Sequence, residues 1–504
     1  MLNIQVGHSY FLSYDRKQWE RGKPYPPLAT IQVAALLREM GHATRLFDAM
    51  LADGVEDYQA LLQAAQPDVV VLYEDNFNYL TKMCLSRMRE AACQMIAEAH
   101  AHGARVIVAG SDASDHPDAF LAAGADAVLI GEGIAALVEL IERLDHDPQI
   151  ATAQWTCGIA GVATLVDGQM QLMRLGAQPP DPRLAGRPAW DLVDIERYRT
   201  MWNERHGYFS LNMAASRGCP FRCNWCAKPI WGNHYKQRGP QDIAAEMTYL
   251  KQTFRPDHIW LADDIFGFHV DWVMEFAEHL RAADGSVPFT IQTRADLISE
   301  RMASALEQAG CAEAWIGAES GSQRVLDAMT KGTKVADLIT ARMRLGEHGI
   351  RVGFFIQLGY LGEQLTDLLA TRELVTHAAP DDIGVSVSYP LPGTKFYERV
   401  KAQLGAKTNW RDSDDLAMMF RGAYDSDFYR RVRDLLHEQV TLQQAKPAME
   451  PERYRQNGAA LDARWHALIA CEQAHRNEDA TAPPATEQDH HPQALRHAAS
   501  AQNR

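Results

Sequence analysis

The residues best suited to do chemistry are three cysteines in the stretch SRGCPFRCNWCAKPIWG, residues 216–232. Cys219, Cys223 and Cys226 have the spacing C-x3-C-x2-C, in a chain of 504 residues that contains only eight cysteines. Thiolates are soft ligands that suit zinc or an iron–sulfur cluster. A structural zinc site needs four nitrogen or sulfur ligands, and the nearest further donor, His234, lies in no familiar zinc spacing. A 4Fe–4S cluster held by three thiolates instead leaves one iron open to an external ligand.

Composition and charge exclude several classes of protein. Eight cysteines in a chain this long do not form a disulfide scaffold. The formal net charge of −15 argues against a broad nucleic-acid-binding surface. The chain opens on no stretch that resembles a signal peptide, and no window approaches about eighteen consecutive apolar residues. We therefore expect a cytoplasmic protein with no membrane span and no nucleic-acid partner.

Residues 1–150 alternate strand-like and helix-like patterns. The strand candidates are short, β-branched runs: LNIQV, PDVVVLY, ARVIVAG and DAVLIGEG. Two of the intervening amphipathic helices end at Gly41 and Gly103, the residue type that stops a helix in a left-handed conformation. The alternation predicts an α/β fold that begins with a doubly wound, Rossmann-like domain. Ligands of such a sheet bind at the carboxyl ends of its strands, which here carry YEDNFNY, AGSDASDHP and GEG.

Residues 208–400 repeat a strand–helix unit and predict a second domain. Six strand candidates recur: FSLNMAA, HIWLADD, FTIQTRAD, EAWIGAES, RVGFFIQLGY and IGVSVSYP. Six such units predict a partial (β/α)6 barrel, with function at the carboxyl ends of its strands. Cys219 comes just after the first strand, where a barrel of this kind holds its chemistry.

Three further segments complete the predicted organisation. Residues 151–207 contain a hairpin with an Asp-Gly turn, GVATLVDGQMQL, followed by a Pro-rich linker. Residues 401–475 form a helical C-terminal region that includes SDFYRRVRDLLHEQVTLQQA. Residues 476–504 are polar and rich in proline and alanine, so we expect a disordered tail.

The cysteine loop, with Trp225 as the aromatic residue of C-x3-C-x-aromatic-C, resembles that of the radical S-adenosylmethionine (SAM) enzymes. The resemblance continues in LADDIFGF, GAESGSQRVL, FFIQLGYLGE and SYPLPGTKFYE, each at the end of a predicted strand. It implies a 4Fe–4S cluster on Cys219, Cys223 and Cys226 whose open iron binds SAM. Reductive cleavage of SAM then yields a 5′-deoxyadenosyl radical that abstracts hydrogen from an unreactive carbon.

The same resemblance implies SAM contacts at the strand ends, because carboxylates and polar groups can anchor its sulfonium, ammonium and ribose. The glycines of QLGYLGE allow close backbone approach to the adenosine. Some of these residues are alternatively only strand-end caps or ion pairs. The expected contacts are Asp264, Gln292, Arg294, Glu319, Ser320 and Gly359.

The first domain resembles the cobalamin-binding module that precedes the barrel in one large radical SAM subgroup, in PYPPLATIQVAALLREMGHATRLFDA and the strand ends quoted above. The D-x-H-x2-G motif that supplies a cobalt ligand in some cobalamin proteins is absent, because Asp115 and His116 are adjacent and the glycine is missing. An empty or repurposed doubly wound domain is the alternative. The resemblance implies bound cobalamin, with contacts at Gly110, Ser111, Gly131 and Glu132.

Together the two cofactors imply a radical SAM C-methyltransferase that acts on a small metabolite or natural-product intermediate. One SAM methylates cobalt, a second generates the radical, and the substrate radical takes the methyl group. A flavodoxin or ferredoxin-type protein is the expected electron donor. The alternatives are a radical cyclisation, oxidation or rearrangement without methyl transfer, a cobalamin or redox sensor, and a zinc-stabilised scaffold. The sequence does not identify a catalytic acid or base.

Overall fold

The computed structural model describes residues 1–173, 178–179, 181–226, 230 and 233–477. The tail predicted to be disordered lies outside the described residues from residue 478 onward, as do five residues of the predicted linker.

The first domain is built on one sheet, in which the described strands follow the order β2-β1-β3-β4-β5-β6-β7. The first five strands in this order are parallel, and β6 and β7 are antiparallel to their neighbours. The strands are β1 (Asn3–Gly7), β2 (Ala43–Phe47), β3 (Val69–Tyr73), β4 (Arg105–Ala109), β5 (Ala127–Leu129), β6 (Val162–Val166) and β7 (Gln169–Leu172).

Helices cover both faces of this sheet. Along β3, Val69 and Val71 join one buried cluster while Val70 and Leu72 join another. This alternation confirms the doubly wound prediction, because a strand buried on both faces reads as a continuous apolar run. The helices of this part are α1 (Arg16–Arg21), α2 (Leu28–Glu39), α3 (Val55–Ala65), α4 (Tyr79–Lys82), α5 (Ser86–Ala101), α6 (Ser111–Asp115), α7 (Pro117–Ala122), α8 (Ile134–His146), α9 (Thr152–Thr156) and α10 (Ile195–His206).

The edges of the sheet differ from the sequence prediction. β2 was not among the strand candidates, because in ATRLF only Phe47 is buried and the other residues are exposed or half-exposed. β6 and β7 form a hairpin that extends the first sheet, with Val128 paired to Ala163, and is not a free connection. Pairing there satisfies the backbone groups that β5 presents as an edge strand.

The second domain is an open barrel. Its described parallel strands follow the order β8-β11-β12-β13-β14-β15, which confirms the six predicted units. No pairing joins the edge strands β8 and β15 in the described part of the chain. The strands are β8 (Ser210–Met213), β11 (His258–Leu261), β12 (Phe289–Thr293), β13 (Cys311–Glu319), β14 (Arg351–Leu358) and β15 (Asp382–Val387), with a separate ribbon of β9 (Ser216–Gly218) and β10 (Tyr235–Gln237).

Helices pack on the outer face of the barrel. On β13, Ala314, Ile316 and Ala318 are fully buried, while the alternate residues Trp315 and Gly317 face the interior and remain partly exposed. The helices are α11 (Pro240–Phe254), α12 (Val270–Ala282), α13 (Glu300–Ala309), α14 (Gln323–Ala328), α15 (Val335–Glu347), α16 (Leu365–Ala378) and α17 (Lys395–Val400), followed by α18 (Ser426–Ala445), α19 (Pro451–Ala470) and α20 (Glu472–His475) of the C-terminal region.

The chain around α1 joins both sides of the open barrel. Tyr25 Oη lies 3.1 Å from Ser210 Oγ at the edge strand β8. Gln18 donates a hydrogen bond to Ser413 Oγ (3.0 Å), in the segment that leads into α18 beside β15. The first domain therefore closes the barrel where its sheet is incomplete.

Candidate functional site

The cysteine loop is the turn of the β9–β10 ribbon, at the carboxyl end of β8. Gly218 leaves β9 with φ of +76°, a left-handed conformation that favours glycine. Cys219, Cys223 and Cys226 are half-buried and form no disulfide. The described His, Cys, Asp and Glu side chains form no group of three arranged around a single metal ion. Because it follows the carboxyl end of β8, the loop lies at the mouth of the barrel, where the sequence predicts it.

A buried guanidinium lies against this loop. Arg294 is 5 % exposed, and its Nη1 lies 3.8 Å from Cys223 Sγ. Two hydrogen bonds to Asp296 (2.9 and 3.0 Å) and one to the carbonyl of Lys331 (2.8 Å) hold the group. Its Cζ also lies 3.8 Å from the ring centroid of Phe221. Arg294 therefore presents a fixed positive charge and an N–H donor to Cys223 Sγ.

A second buried cation lies beside it. Lys331 Nζ donates to Glu319 Oε1 at 2.7 Å, and both side chains are less than one-tenth exposed. Burial by itself lowers the pKa of Lys331, but the charges of Glu319 and Cys223 outweigh it, so the pKa is raised and the ammonium persists. Glu319 has φ of +60°, at a shift in the register between β13 and β14. The predicted contact Glu319 thus lies at the barrel mouth in an ion pair.

Ser320 occupies a different environment from Glu319. Its side chain is fully buried, and its Oγ lies 3.2 Å from Thr371 Oγ1 on α16 and accepts from the backbone N–H of Ser322 (3.1 Å). The hydroxyl therefore links the end of β13 to the helix behind it.

Asp264 and Gln292 lie on neighbouring strand ends. The carboxylate of Asp264 pairs with Lys82 on α4, so a residue of the first domain reaches the rim of the barrel. Gln292 is half-buried on the inner face of β12, and its backbone carbonyl accepts from the backbone N–H of Phe266 (2.8 Å).

Gly359 faces the C-terminal region. It has φ of +74°, and a Cβ at this position would lie 2.9 Å from Met418 Sδ and 3.3 Å from Tyr429. Its N–H donates to Glu363 Oε2 (2.6 Å), and burial raises the pKa of Glu363 to about 8. Met418 and Tyr429 of the chain itself therefore make the close approach that this glycine permits.

The predicted cobalamin contacts form two groups at the carboxyl edge of the first sheet. Gly110 packs so closely on Glu74 that a Cβ would lie 2.8 Å from the Glu74 side chain, and Ser111 is buried at the start of α6. Gly131, which has φ of +79°, lies against the cysteine loop, since a Cβ at this position would be 3.4 Å from the carbonyl oxygen of Ile230.

Glu132 joins the two domains. Its carboxylate accepts from Arg217 (2.9 Å), just before the cysteine loop, and from the backbone N–H of Asp181 (2.7 Å). Both side chains of the Glu132–Arg217 pair are 10 % exposed. The carboxyl edge of the first sheet and the mouth of the barrel therefore face each other.

Sequence reasoning missed several residues of this site. Asp263 accepts from Ser216 and from the backbone N–H of Ala215 (3.1 Å), and burial raises its pKa to about 7. The quoted segment LADDIFGF contains it, but two adjacent aspartates give no signal of which one faces inward. Lys331 and Lys82 carry no spacing signal at all, because each meets its partner only through the fold.

Comparison with known proteins finds similar sequences and similar folds. Residues 213–375 match the model of the radical SAM superfamily. Over 445 residues the chain is 23 % identical to an uncharacterised methyltransferase of Pyrococcus horikoshii, covering 83 % of this chain and 90 % of that protein.

Two solved structures share the fold. TsrM from Kitasatospora setae, a radical SAM methyltransferase with cobalamin and a [4Fe-4S] cluster bound, has a TM-score of 0.63 at 17 % identity, over 80 % of this chain and 78 % of that chain. OxsB, a cobalamin-dependent SAM radical enzyme with aqua-cobalamin and SAM bound, has a TM-score of 0.68 at 16 % identity, over 93 % of this chain and 72 % of that chain.

The chain therefore contains a radical SAM domain, which confirms the class indicated by the cysteine loop. Its fold, a doubly wound domain followed by an open barrel, is the one found in cobalamin-dependent radical SAM enzymes. None of the described helices is both long and apolar enough to cross a membrane.

Proposed function

We propose that this protein is a cobalamin-dependent radical SAM C-methyltransferase that acts on a small metabolite or natural-product intermediate. One observation carries the proposal: the Glu132–Arg217 pair and the approach of Gly131 to Ile230 bring the carboxyl edge of the first sheet onto the cysteine loop. A methyl carrier on that edge and a radical source on that loop would face one substrate.

The residues of the loop fit a 4Fe–4S cluster. Cys219, Cys223 and Cys226 supply three soft donors on one ribbon, and Arg294 adds a positive charge beside an anionic sulfur. Three protein ligands leave one iron for SAM, whose reductive cleavage is the chemistry that the cluster supplies.

The barrel mouth suits the amino-acid end of SAM. Glu319 and Lys331 offer a buried carboxylate and a buried ammonium next to Cys223, which match the charges of an α-amino acid. The remaining expected contacts, Asp264, Gln292, Arg294, Ser320 and Gly359, stay predictions.

The facing edge of the first sheet fits a polar ligand such as cobalamin. Asn76 Oδ1 and Thr81 Oγ1 are buried there without a hydrogen-bond partner in the described part of the chain. Buried polar atoms are normally satisfied, so these two favour a ligand that donates to them. Gly110, Ser111, Gly131 and Glu132 are the residues that would hold it; cobalamin supplies a methyl group when bound.

The protein's own part in this reaction is to align the reactants and exclude water. The chain around α1 closes the barrel, and Lys82 reaches across the mouth to Asp264. Reduction of the cluster requires an external donor, for which a flavodoxin or ferredoxin-type protein in the cytoplasm is our proposal.

The test is anaerobic purification with iron, sulfide and cobalamin quantified, followed by turnover with SAM and strong reductant. We expect an iron–sulfur chromophore, cobalamin, and a methylated product with two SAM consumed per turnover. Cys223→Ala should abolish SAM cleavage, while Cys157→Ala, at an exposed cysteine far along the chain from the loop, should retain it.

Each other outcome contradicts a defined part of the proposal. 5′-Deoxyadenosine with an unmethylated product would indicate a cyclisation, oxidation or rearrangement in place of methyl transfer. A colourless protein with one zinc would support a scaffold, and an intact cluster that leaves SAM uncleaved would support a sensor.

A further inference from the structure

The inner face of the barrel carries an aromatic pair that the proposed cofactor sites do not use. Trp315 on β13 and Phe355 on β14 stack with ring centroids 4.8 Å apart and planes 27° from parallel. Phe355 is 37 % exposed in the middle of its strand, whereas its neighbours Phe354 and Ile356 are buried under the outer helices. The exposed ring therefore faces the interior of the barrel.

Two glycines keep these rings flat against the strands. A Cβ at Gly353 would lie 2.5 Å from the Trp315 ring, and a Cβ at Gly384 would lie 3.2 Å from Phe355. Larger residues at either position would push the rings into the interior. We call Trp315 and Phe355, lying on Gly353 and Gly384, the aromatic wall.

The aromatic wall adjoins the radical-generating site. Phe355 is paired in register with Gly317 on β13, and a Cβ at Gly317 would lie 2.6 Å from Lys331 Nζ. The carbonyl of Lys331 binds Arg294, which contacts Cys223. A molecule lying on the wall is thus a neighbour of the cysteine loop and not a distant surface ligand.

Two unsatisfied polar atoms lie above the wall. Gln357, two residues beyond Phe355 on the same face, is 6 % exposed, and its Oε1 has no hydrogen-bond partner among the described residues. The same holds for Oγ of Ser388, which is 1 % exposed and lies two residues beyond Ser386, the register partner of Gln357. Both oxygens can accept a hydrogen bond, so they suit a ligand with a donor at its edge.

We propose that the aromatic wall binds the substrate through a flat conjugated ring with an O–H or N–H donor at one edge. The inference rests on the proposed function, because it assumes that the substrate enters the barrel to meet the SAM-derived radical. Stacked rings prefer a flat partner over a puckered one of equal size. The two glycines then explain why the surface is flat, and the two oxygens without a hydrogen-bond partner among the described residues explain why it has a polar edge.

Binding to the reconstituted full-length protein, measured by isothermal titration calorimetry with three probes, tests the proposal. 2-Naphthol is flat and carries a donor, 2-methoxynaphthalene is flat without a donor, and decahydro-2-naphthol has a donor but no flat ring. We expect 2-naphthol to bind most tightly. Phe355→Ala should weaken it by roughly two- to tenfold. Phe355→Trp, which keeps a flat ring, should retain wild-type affinity.

Met343→Ala provides the control, because Met343 is 59 % exposed on α15 at the outside of the barrel and its loss should change nothing. Equal affinity for 2-naphthol and decahydro-2-naphthol, or no effect of Phe355→Ala, would overturn the assignment. SAM cleavage measured on the same samples separates the two proposals. Cleavage without ring selectivity defeats the aromatic wall alone, and ring selectivity without cleavage defeats the proposed enzyme alone.

Discussion

At the scale of single residues, the environment of the cysteine loop is set by Arg294. Asp296 holds its guanidinium in a bidentate pair, and Phe221 stacks on its face. A planar group fixed in this way loses little conformational freedom when one N–H is directed at Cys223. Hydrogen bonds and charge near cluster sulfurs raise the reduction potential of an iron–sulfur cluster.

Replacing Arg294 should change the reduction potential of the cluster more than it changes the fold. In Arg294→Gln we expect the midpoint potential of the reconstituted cluster to fall by tens of millivolts, because the positive charge beside the sulfur is lost. A redox titration followed by electron paramagnetic resonance measures it. Arg301→Gln removes an exposed arginine paired with Asp271 and should leave the potential unchanged. Equal potentials in both variants would contradict this role.

At the scale of elements, the turn after β14 is stabilised by a protonated carboxyl. Glu363 is 1 % exposed, accepts from the backbone of Gly359, and leaves its Oε1 without a partner among the described atoms. Burial raises its pKa from 4.5 to about 8. The neutral acid is therefore the form that packs against Tyr429 and the C-terminal region.

This carboxyl predicts a pH dependence of stability. A raised pKa in the folded state gives a contribution that is complete below about pH 4.5 and is lost as the pH rises through about 8. Relative to Glu363→Gln, the wild type should lose about 1.4 kcal/mol of unfolding free energy per pH unit between pH 5 and pH 8. Urea denaturation at several pH values measures this difference. Glu20→Gln, at an exposed site, should follow the wild type; a Glu363→Gln curve parallel to the wild type would refute the assignment.

At the scale of the whole molecule, buried contacts hold its two halves, the first domain and the barrel, against each other. Arg217 reaches from the base of the cysteine loop to Glu132 and Gln32 of the first domain, while its guanidinium lies 5.6 Å from the Phe77 ring centroid. Tyr25 packs between Trp202 and the barrel, with its ring 5.3 Å from the indole. These contacts fix the distance between the edge of the first sheet and the barrel mouth.

Breaking the buried pair should separate these halves. Glu132→Ala and Arg217→Ala should each cost about 3–5 kcal/mol of stability, because each leaves a buried charge without its partner. The double variant should cost less than the sum, which a double-mutant cycle on unfolding free energies would reveal. Arg38 and Asp191 form an exposed pair between the first domain and the linker, 41 % and 62 % exposed, and the same cycle there should give no more than about 1 kcal/mol. Additive effects at Glu132 and Arg217 would contradict coupling between the domains.

Local sequence patterns are enough to predict the class of the protein and most of its elements. Hydrophobic periodicity predicts the parallel strands and their helices, because burial on one or both faces imposes it over several residues at a time. The spacing of Cys219, Cys223 and Cys226 is local chemistry within one loop, so it needs no tertiary information. β2 is not predicted, because an edge strand with one buried residue leaves no hydrophobic periodicity.

Which side chains meet depends on how the whole chain packs. Glu319 and Lys331 are twelve residues apart, and Lys82 lies far along the chain from Asp264, so neither pair has a spacing that marks it. The aromatic wall likewise depends on the register between β13, β14 and β15, which sets Phe355 beside Gly384. Contacts across strands and domains arise from packing of the whole fold, so no local pattern in the sequence marks them.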